Sequence, residues 1–239
     1  MIKDWLITGD THAEIDRYKC LEFFEPETAA LIVLGDAGFN YTEGPQDIFI
    51  KDRVSWPCNY IYCVRGNHEM RPQDVPTMVK YFDENVLNYV YYEPEYPYIR
   101  YFIDGYCYNI NGHLVLVIGG AYSVDKYFRL EQGRKWFPNE QLTKDELDFI
   151  YEHYKGEEFD IILTHTCPYS WRPVDLFLPS VDSKTIDNTM ELWMDEFKDV
   201  VSYNLWAFGH FHDDRLVNPK ARMMFKDVRF LEDIYKDLD

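Results

Sequence analysis

The feature that most limits how this chain can fold is a pattern that recurs five times. A short apolar run stops at a small residue and hands over to aspartate, asparagine or histidine. The runs are WLITG (5–9), ALIVLGD (30–36), NYIYCVRGNHE (59–69), FDIILTH (159–165) and NLWAFGHFH (204–212). Their length and their β-branched and aromatic content predict buried strands. Helical spacing over 13–25 ends at Pro26, and a short helix over 45–55 stops before Pro57. Strand, helix, strand, helix, strand in that order predicts a layered α/β fold with partly parallel strands.

The middle of the chain is different in kind. Residues 98–122 are strand-rich, and Asp104-Gly105 and Asn111-Gly112 are two-residue hairpin signals, so a three-strand antiparallel meander is expected there. A helix is expected over 138–154, opened by Pro138 and acidic in its first turns. An amphipathic helix is expected over 183–200, and one or two edge strands with a polar tail over 214–239. With 239 residues and no repeat, low-complexity tract or linker, a single domain spanning 1–239 is the expectation.

The chemistry lies in the loops after the strands. These are Gly9-Asp10-Thr11-His12, Gly35-Asp36, Gly66-Asn67-His68-Glu69, Thr164-His165 and Gly209-His210-Phe211-His212, and they hold five of the seven histidines. The other two, His113 and His153, read as structural or solvated. In layered α/β folds ligands gather at the carboxyl ends of strands. Mixed imidazole and carboxylate donors suit Mn, Fe or Zn better than Ca or Mg. Each loop alone has a plain explanation: a Gly-Asp turn, Asn67 as a helix cap, a histidine satisfied in the core. Five such loops, each after an apolar run, make coincidence a poor account.

These loops resemble the calcineurin-like metallophosphoesterases, whose pattern is D-x-H, G-D, G-N-H-[DE], a later single His, and G-H-x-H. GDTHAE, LGDAGFN, RGNHE, ILTHTCP and FGHFH match it in order over roughly residues 4–212. The resemblance implies a four-layer α/β/β/α sandwich. It implies one ion held by Asp10, His12, Asp36 and His212 and another by Asp36, Asn67, His165 and His210, with Asp36 as the bridge and His68 just outside. It further implies hydrolysis by in-line attack of a metal-bound hydroxide between ions ~3.5–4 Å apart, with His68 protonating the leaving oxygen. Phosphomonoester hydrolysis, on Ser/Thr proteins or small molecules, is the first reading. A phosphodiesterase acting on cyclic nucleotides or nucleic-acid ends is the alternative. A metal-stabilised scaffold without catalysis is disfavoured, because all the matched positions are present.

The second motif departs from the Ser/Thr protein phosphatase branch, G-D-x-V-D-R-G. Phe39 stands where that branch has the Asp that orients the catalytic His, and Asn40 where it has a phosphate-binding Arg. Arg65, in R-G-N-H-E, matches the branch and is the candidate substrate contact; the competing reading is a strand-end arginine that caps carbonyls or pairs with an acid. Lys126, Arg129 and Arg134, in a stretch similar to one in small bacterial and phage members, are further candidate anion contacts. Arg71, Arg172, Tyr41 and Tyr169 are candidate pocket residues.

A net charge of −18 argues against extended nucleic-acid binding and against an anionic membrane. It leaves room for a small phosphoester at a site where bound cations set the potential. Five cysteines without a CxxC read as mostly reduced and buried, and the N-terminus carries no secretory pattern. No apolar run is long enough to span a bilayer. A cytoplasmic protein is expected.

Overall fold

The run 29–34 has no polar residue because it is covered on both faces. Ala30, Ile32 and Leu34 enter one core, and Ala29, Leu31 and Val33 another. That period-2 division of an unbroken apolar strand is what a sheet sandwiched between two layers requires. The computed structural model describes residues 2–56, 58–177 and 185–236. Its strands are β1 (Asp4–Thr8), β2 (Ala29–Leu34), β3 (Tyr60–Val64), β4 (Val79–Asp83), β5 (Asn88–Tyr92), β6 (Ile99–Phe102) and β7 (Tyr106–Ile110), then β8 (His113–Ile118), β9 (Glu158–Thr164), β10 (Ser202–Phe208), β11 (Arg215–Asn218), β12 (Ala221–Met223) and β13 (Arg229–Phe230). The helices are α1 (Pro45–Val54), α2 (Lys126–Glu131), α3 (Lys144–Tyr154), α4 (Thr189–Lys198) and α5 (Leu231–Lys236).

Two mixed sheets form. The first runs β13-β1-β2-β3-β6-β5-β4, with β1, β2, β3 and β6 parallel. The second runs β11-β12-β10-β9-β8-β7, with β12, β10, β9 and β8 parallel. Ile7, Ile32 and Val64 of the first sheet meet Val117, Leu163 and Ala207 of the second in the central core. The far face of the first sheet packs on Tyr18, Leu21, Ile50 and Val54, and the far face of the second on Leu147, Ile150, Met194 and Phe197. The order is therefore helix, sheet, sheet, helix: the four-layer α/β/β/α sandwich. Trp206, fully buried, fills the second sheet's outer core and donates its indole N–H to Thr164 Oγ1 at 2.9 Å.

Several expectations change. The segment 13–25 forms 3-10 turns over Ile15–Phe23 rather than an α-helix, and its two buried residues, Tyr18 and Leu21, are three apart, the period of that tighter helix. The three-strand meander is divided between the sheets: β6 lies beside β3, whereas β7 and β8 pair in the second sheet. The Asp104 carboxylate fastens the crossing, accepting from Gly119 N–H at 2.7 Å and from Arg65 Nε at 2.9 Å. The Asn111-Gly112 hairpin forms, with φ of 54° and 90° as a type I′ turn needs. Helix α3 starts after Thr143, not at Pro138, because Thr143 and Glu146 make a reciprocal capping box. Helix α4 starts later than 183; residues 183 and 184 lie outside the described residues. The β4–β5 hairpin and the short helices α2 and α5 were not foreseen. No helix among the described residues is long and apolar enough to cross a membrane.

Candidate metal centre

The parallel strands of both sheets deliver their loops to one rim, and missing Cβ atoms let those loops touch. A Cβ on Gly35, whose φ of +95° already favours glycine, would lie 1.9 Å from His165 Nδ1. One on Gly66 would lie 2.0 Å from Asp36 Oδ1, and one on Gly209 2.2 Å from Asp10 Oδ1. Gly35, Gly66 and Gly209 are thus the seats for ligand side chains of other loops, whereas Gly9 makes room for the Met224 backbone. Gly66→Ala is expected to cost about 1–3 kcal/mol of stability by overpacking and to weaken divalent-ion binding by displacing the Asp36 carboxylate. Urea unfolding and metal titration check this; unchanged affinity would mean the loops can part without disturbing Asp36.

All seven residues expected as ligands come together. Asp10, His12 and His212 form one group of mutually close donor atoms, and Asp10, Asp36 and His165 another. Asp10 Oδ1 accepts from His210 N–H at 2.8 Å, and Asp36 Oδ1 accepts from His68 N–H at 3.0 Å. Asp36 Oδ2 lies 3.7 Å from His165 Nε2 and 3.8 Å from His68 Nε2. His12 meets His212 through their Nε2 atoms at 2.8 Å and Tyr41 OH through Nδ1 at 3.0 Å, so Tyr41 belongs to the site. Four of these residues, His12, Asp36, His210 and His212, have positive φ between 47° and 68°. Such backbone is costly for residues with a Cβ and is concentrated where function demands it.

The electrostatics favour cations. Burial alone would raise the Asp36 carboxyl, but the imidazoles of His68, His165 and His12 outweigh it and hold it below its usual range. Asp10 is likewise raised by burial and brought down, on balance, chiefly by His165. Desolvation, with His165 beside it, pushes His210 down to about 3, so it presents the neutral imidazole that ligates metals. His212 is raised by its contact with Asp10. Desolvation lowers His68, against the field of Asp36 and with that of Arg129. Glu69, buried under the Gly38 amide it accepts from, is pushed up to about 8 by burial and by Asp36.

One contact tests whether metal ions fit. His165 Nδ1 lies 2.8 Å from the Leu34 carbonyl, which can only accept, so this nitrogen is the donor. In the uncharged ring Nε2 then carries a lone pair. It faces Asn67 Oδ1 at 2.7 Å, because the Asn67 amide donates from Nδ2 to Ser123 Oγ at 2.8 Å. With the ring uncharged, as a metal ligand must be, two acceptors would face each other in a buried place, which is unfavourable unless a proton or a cation joins them. Asp10 Oδ2 is also buried without a hydrogen bond. A cation satisfies these atoms together, so the donor set fits.

Most of the other candidates are engaged by the fold. Arg65 is 1% exposed; Nε bonds Asp104 at 2.9 Å, Nη1 the Glu140 carbonyl at 2.6 Å and Nη2 the Gly119 carbonyl at 3.1 Å. All three nitrogens are thus engaged by the fold, as the reading of a strand-end arginine that caps carbonyls and pairs with an acid expects. Arg71 is held by the Asn139 and Gln141 carbonyls and Glu146, and Arg172 by Glu191, Asn188 and the face of Tyr169. Lys126 sits over Trp136, and Arg134 near Phe128. Phe39 is buried against Tyr18 in the helix-side core, which accounts for the absence of an Asp there. Sequence reasoning missed Asp125, whose buried Oδ1 has no partner and whose charge acts on His68, and missed Ser123 and Glu140 behind Asn67. Ser123, Asp125 and Glu140 lie in the 119–142 stretch that resembles a segment of small bacterial and phage members, but nothing in it ties them to Asn67 or His68.

A family model described as calcineurin-like phosphoesterase matches residues 5–214, a span containing every ligand loop. No curated protein matches the sequence. With the sandwich, the convergent Asp and His loops and this match together, the chain belongs to the calcineurin-like phosphoesterase family.

Proposed function

We propose that this protein is a two-metal phosphomonoesterase using Mn, Fe or Zn. The supporting observation is the buried 2.7 Å contact of His165 Nε2 with Asn67 Oδ1, beside the two buried carboxylates of Asp10 and Asp36. Asp10, His12, Asp36, Asn67, His165, His210 and His212 would hold the ions, with Asp36 shared between them. Bound there, the ions supply neutralising charge to phosphoryl oxygens and acidify water. His68 turns Nε2 toward Asp36 and the rim, while Nδ1 points inward and has no hydrogen-bond partner. It is the residue we assign to give a proton to the leaving oxygen. Arg129 raises the positive potential beside it and is the cation we assign to meeting the phosphoryl group. Five free cysteines accord with the cytoplasmic location we assign.

Turnover of p-nitrophenyl phosphate, its bis-ester and an alkyl phosphate, with each metal in turn, tests the reading. Monoester turnover should dominate. His68→Ala should keep its metal and lose ~10²–10⁴-fold in rate, the range of general acid catalysis, with the larger loss on the alkyl ester, whose leaving group most needs a proton. Preference for the bis-ester would make it a phosphodiesterase, and no turnover with any ion a scaffold.

A further inference from the structure

Behind Asn67 runs a chain of hydrogen bonds that ends on a group able only to accept. Asn67 Nδ2 donates to Ser123 Oγ at 2.8 Å, and Ser123 Oγ donates to Glu140 Oε2 at 2.5 Å. Glu140 also accepts from Ser123 N–H at 3.1 Å, through Oε1, and from the Trp136 indole at 2.8 Å, through Oε2. Asn67 is 1% exposed, Ser123 1% and Glu140 3%, so water cannot substitute for a missing partner.

Burial raises the Glu140 carboxyl, and the donors of Ser123 and Trp136 work against it; with Glu140 ionised, the order of donors is forced by chemistry. A serine hydroxyl has one proton. The Glu140 carboxylate takes it, so Ser123 Oγ has only lone pairs left for Asn67. The Asn67 amide must then present Nδ2 to Ser123 and Oδ1 to His165. In the reverse order Ser123 would donate to Oδ1, and the Asn67 NH2 would face the metal centre. An amide NH2 has no free lone pair and cannot ligate. The loop carrying Ser123 starts beside Gly120, whose N–H donates to the Arg65 carbonyl at 2.7 Å, while Arg65 Nη1 holds the Glu140 carbonyl at 2.6 Å. Arg65 and Trp136 therefore fix Glu140 from two sides.

We propose that Ser123 and Glu140 are positioning residues that set the polarity of the Asn67 amide, so that its oxygen and not its nitrogen meets the ion shared with His165. The inference rests on the reading of Asn67 as a metal ligand. A carboxylate at 140 is essential to it, because a glutamine of the same shape can donate as well as accept and lets the chain run either way.

Calorimetric titration of EDTA-treated protein with Mn²⁺ tests this in the wild type, Ser123→Ala and Glu140→Gln, with thermal unfolding of each metal-free variant as the folding control. The wild type should take up two ions. Both variants should bind one ion as before and the other roughly 10–100-fold more weakly, the scale of losing a partner behind a ligand. Glu140→Gln is isosteric and keeps the test open if Ser123→Ala folds poorly. Two unchanged constants in Glu140→Gln, or two that weaken equally, would overturn the inference. A wild type that takes up no ion would instead bring down the metal reading beneath it.

Discussion

Asp36→Asn is expected to lower phosphoester turnover by ~10³-fold or more, the upper range for losing one principal electrostatic contact in an active site. The side chain is 1% exposed, so its charge is screened little by solvent. One oxygen accepts from the His68 amide, and the other stands between His165 and His68 at 3.7 and 3.8 Å. Asparagine keeps the volume and the acceptor for the His68 N–H, so the loop should survive. It removes the charge and turns the second acceptor into a donor, which is the part that would hold ions. The metal-free variant should lose stability modestly, because the imidazoles that hold the Asp36 carboxyl below its usual range attract its charge in the folded state and the amide forfeits that attraction. Kinetics on p-nitrophenyl phosphate, metal content and metal-free unfolding check the three parts. Turnover within tenfold of the wild type would contradict a shared role for Asp36.

The parts of this molecule that could be read from sequence are those where burial and chemistry leave few choices. Strand β2 is covered on both faces along its whole length, and β3, β9 and β10 over 61–64, 161–164 and 205–208, so those stretches are nearly all apolar and their ends stand out. The ligand loops follow directly, because few residue types bind metals and each sits at a strand end. What sequence could not show was decided by distant partners. The Asp104-Gly105 turn reads as a hairpin, but nothing local states that Asp104 will bind Gly119 and Arg65 and send the next strand to the other sheet. Arg65 looks like an anion contact until its donors are seen on carbonyls 54 and 75 residues away. Glu140 stands in a Trp-x-Pro-x-Glu-like element, but nothing local names Ser123 and Asn67 as its partners; their part comes from the path of 121–140 over the Asn67 loop.

Removing metal should lower the thermal midpoint by ~15–30 °C. The metal-free centre keeps two buried carboxylates side by side, with only imidazoles such as His212, 3.2 Å from Asp10 Oδ2, to offset them. A ligand that binds only the folded state adds about 4 kcal/mol when present at ~1,000 times its Kd, so two ions add about 8. Each kcal/mol moves the midpoint of a domain this size by ~2–4 °C. Protons compete for the same atoms. The Asp10 carboxylate raises His212, so this ring must lose a proton to ligate, whereas His210, pushed down to about 3, is already neutral. Ion affinity should therefore rise with pH across neutrality, and the metal-induced gain in midpoint should shrink as pH falls through the range where His212 protonates. Thermal unfolding with EDTA and with added Mn²⁺ at pH 6 and pH 8 measures both effects. A midpoint that ignores EDTA would mean the centre binds no structural charge at all, and the convergence of seven polar side chains on one buried rim would then be without a physical cause.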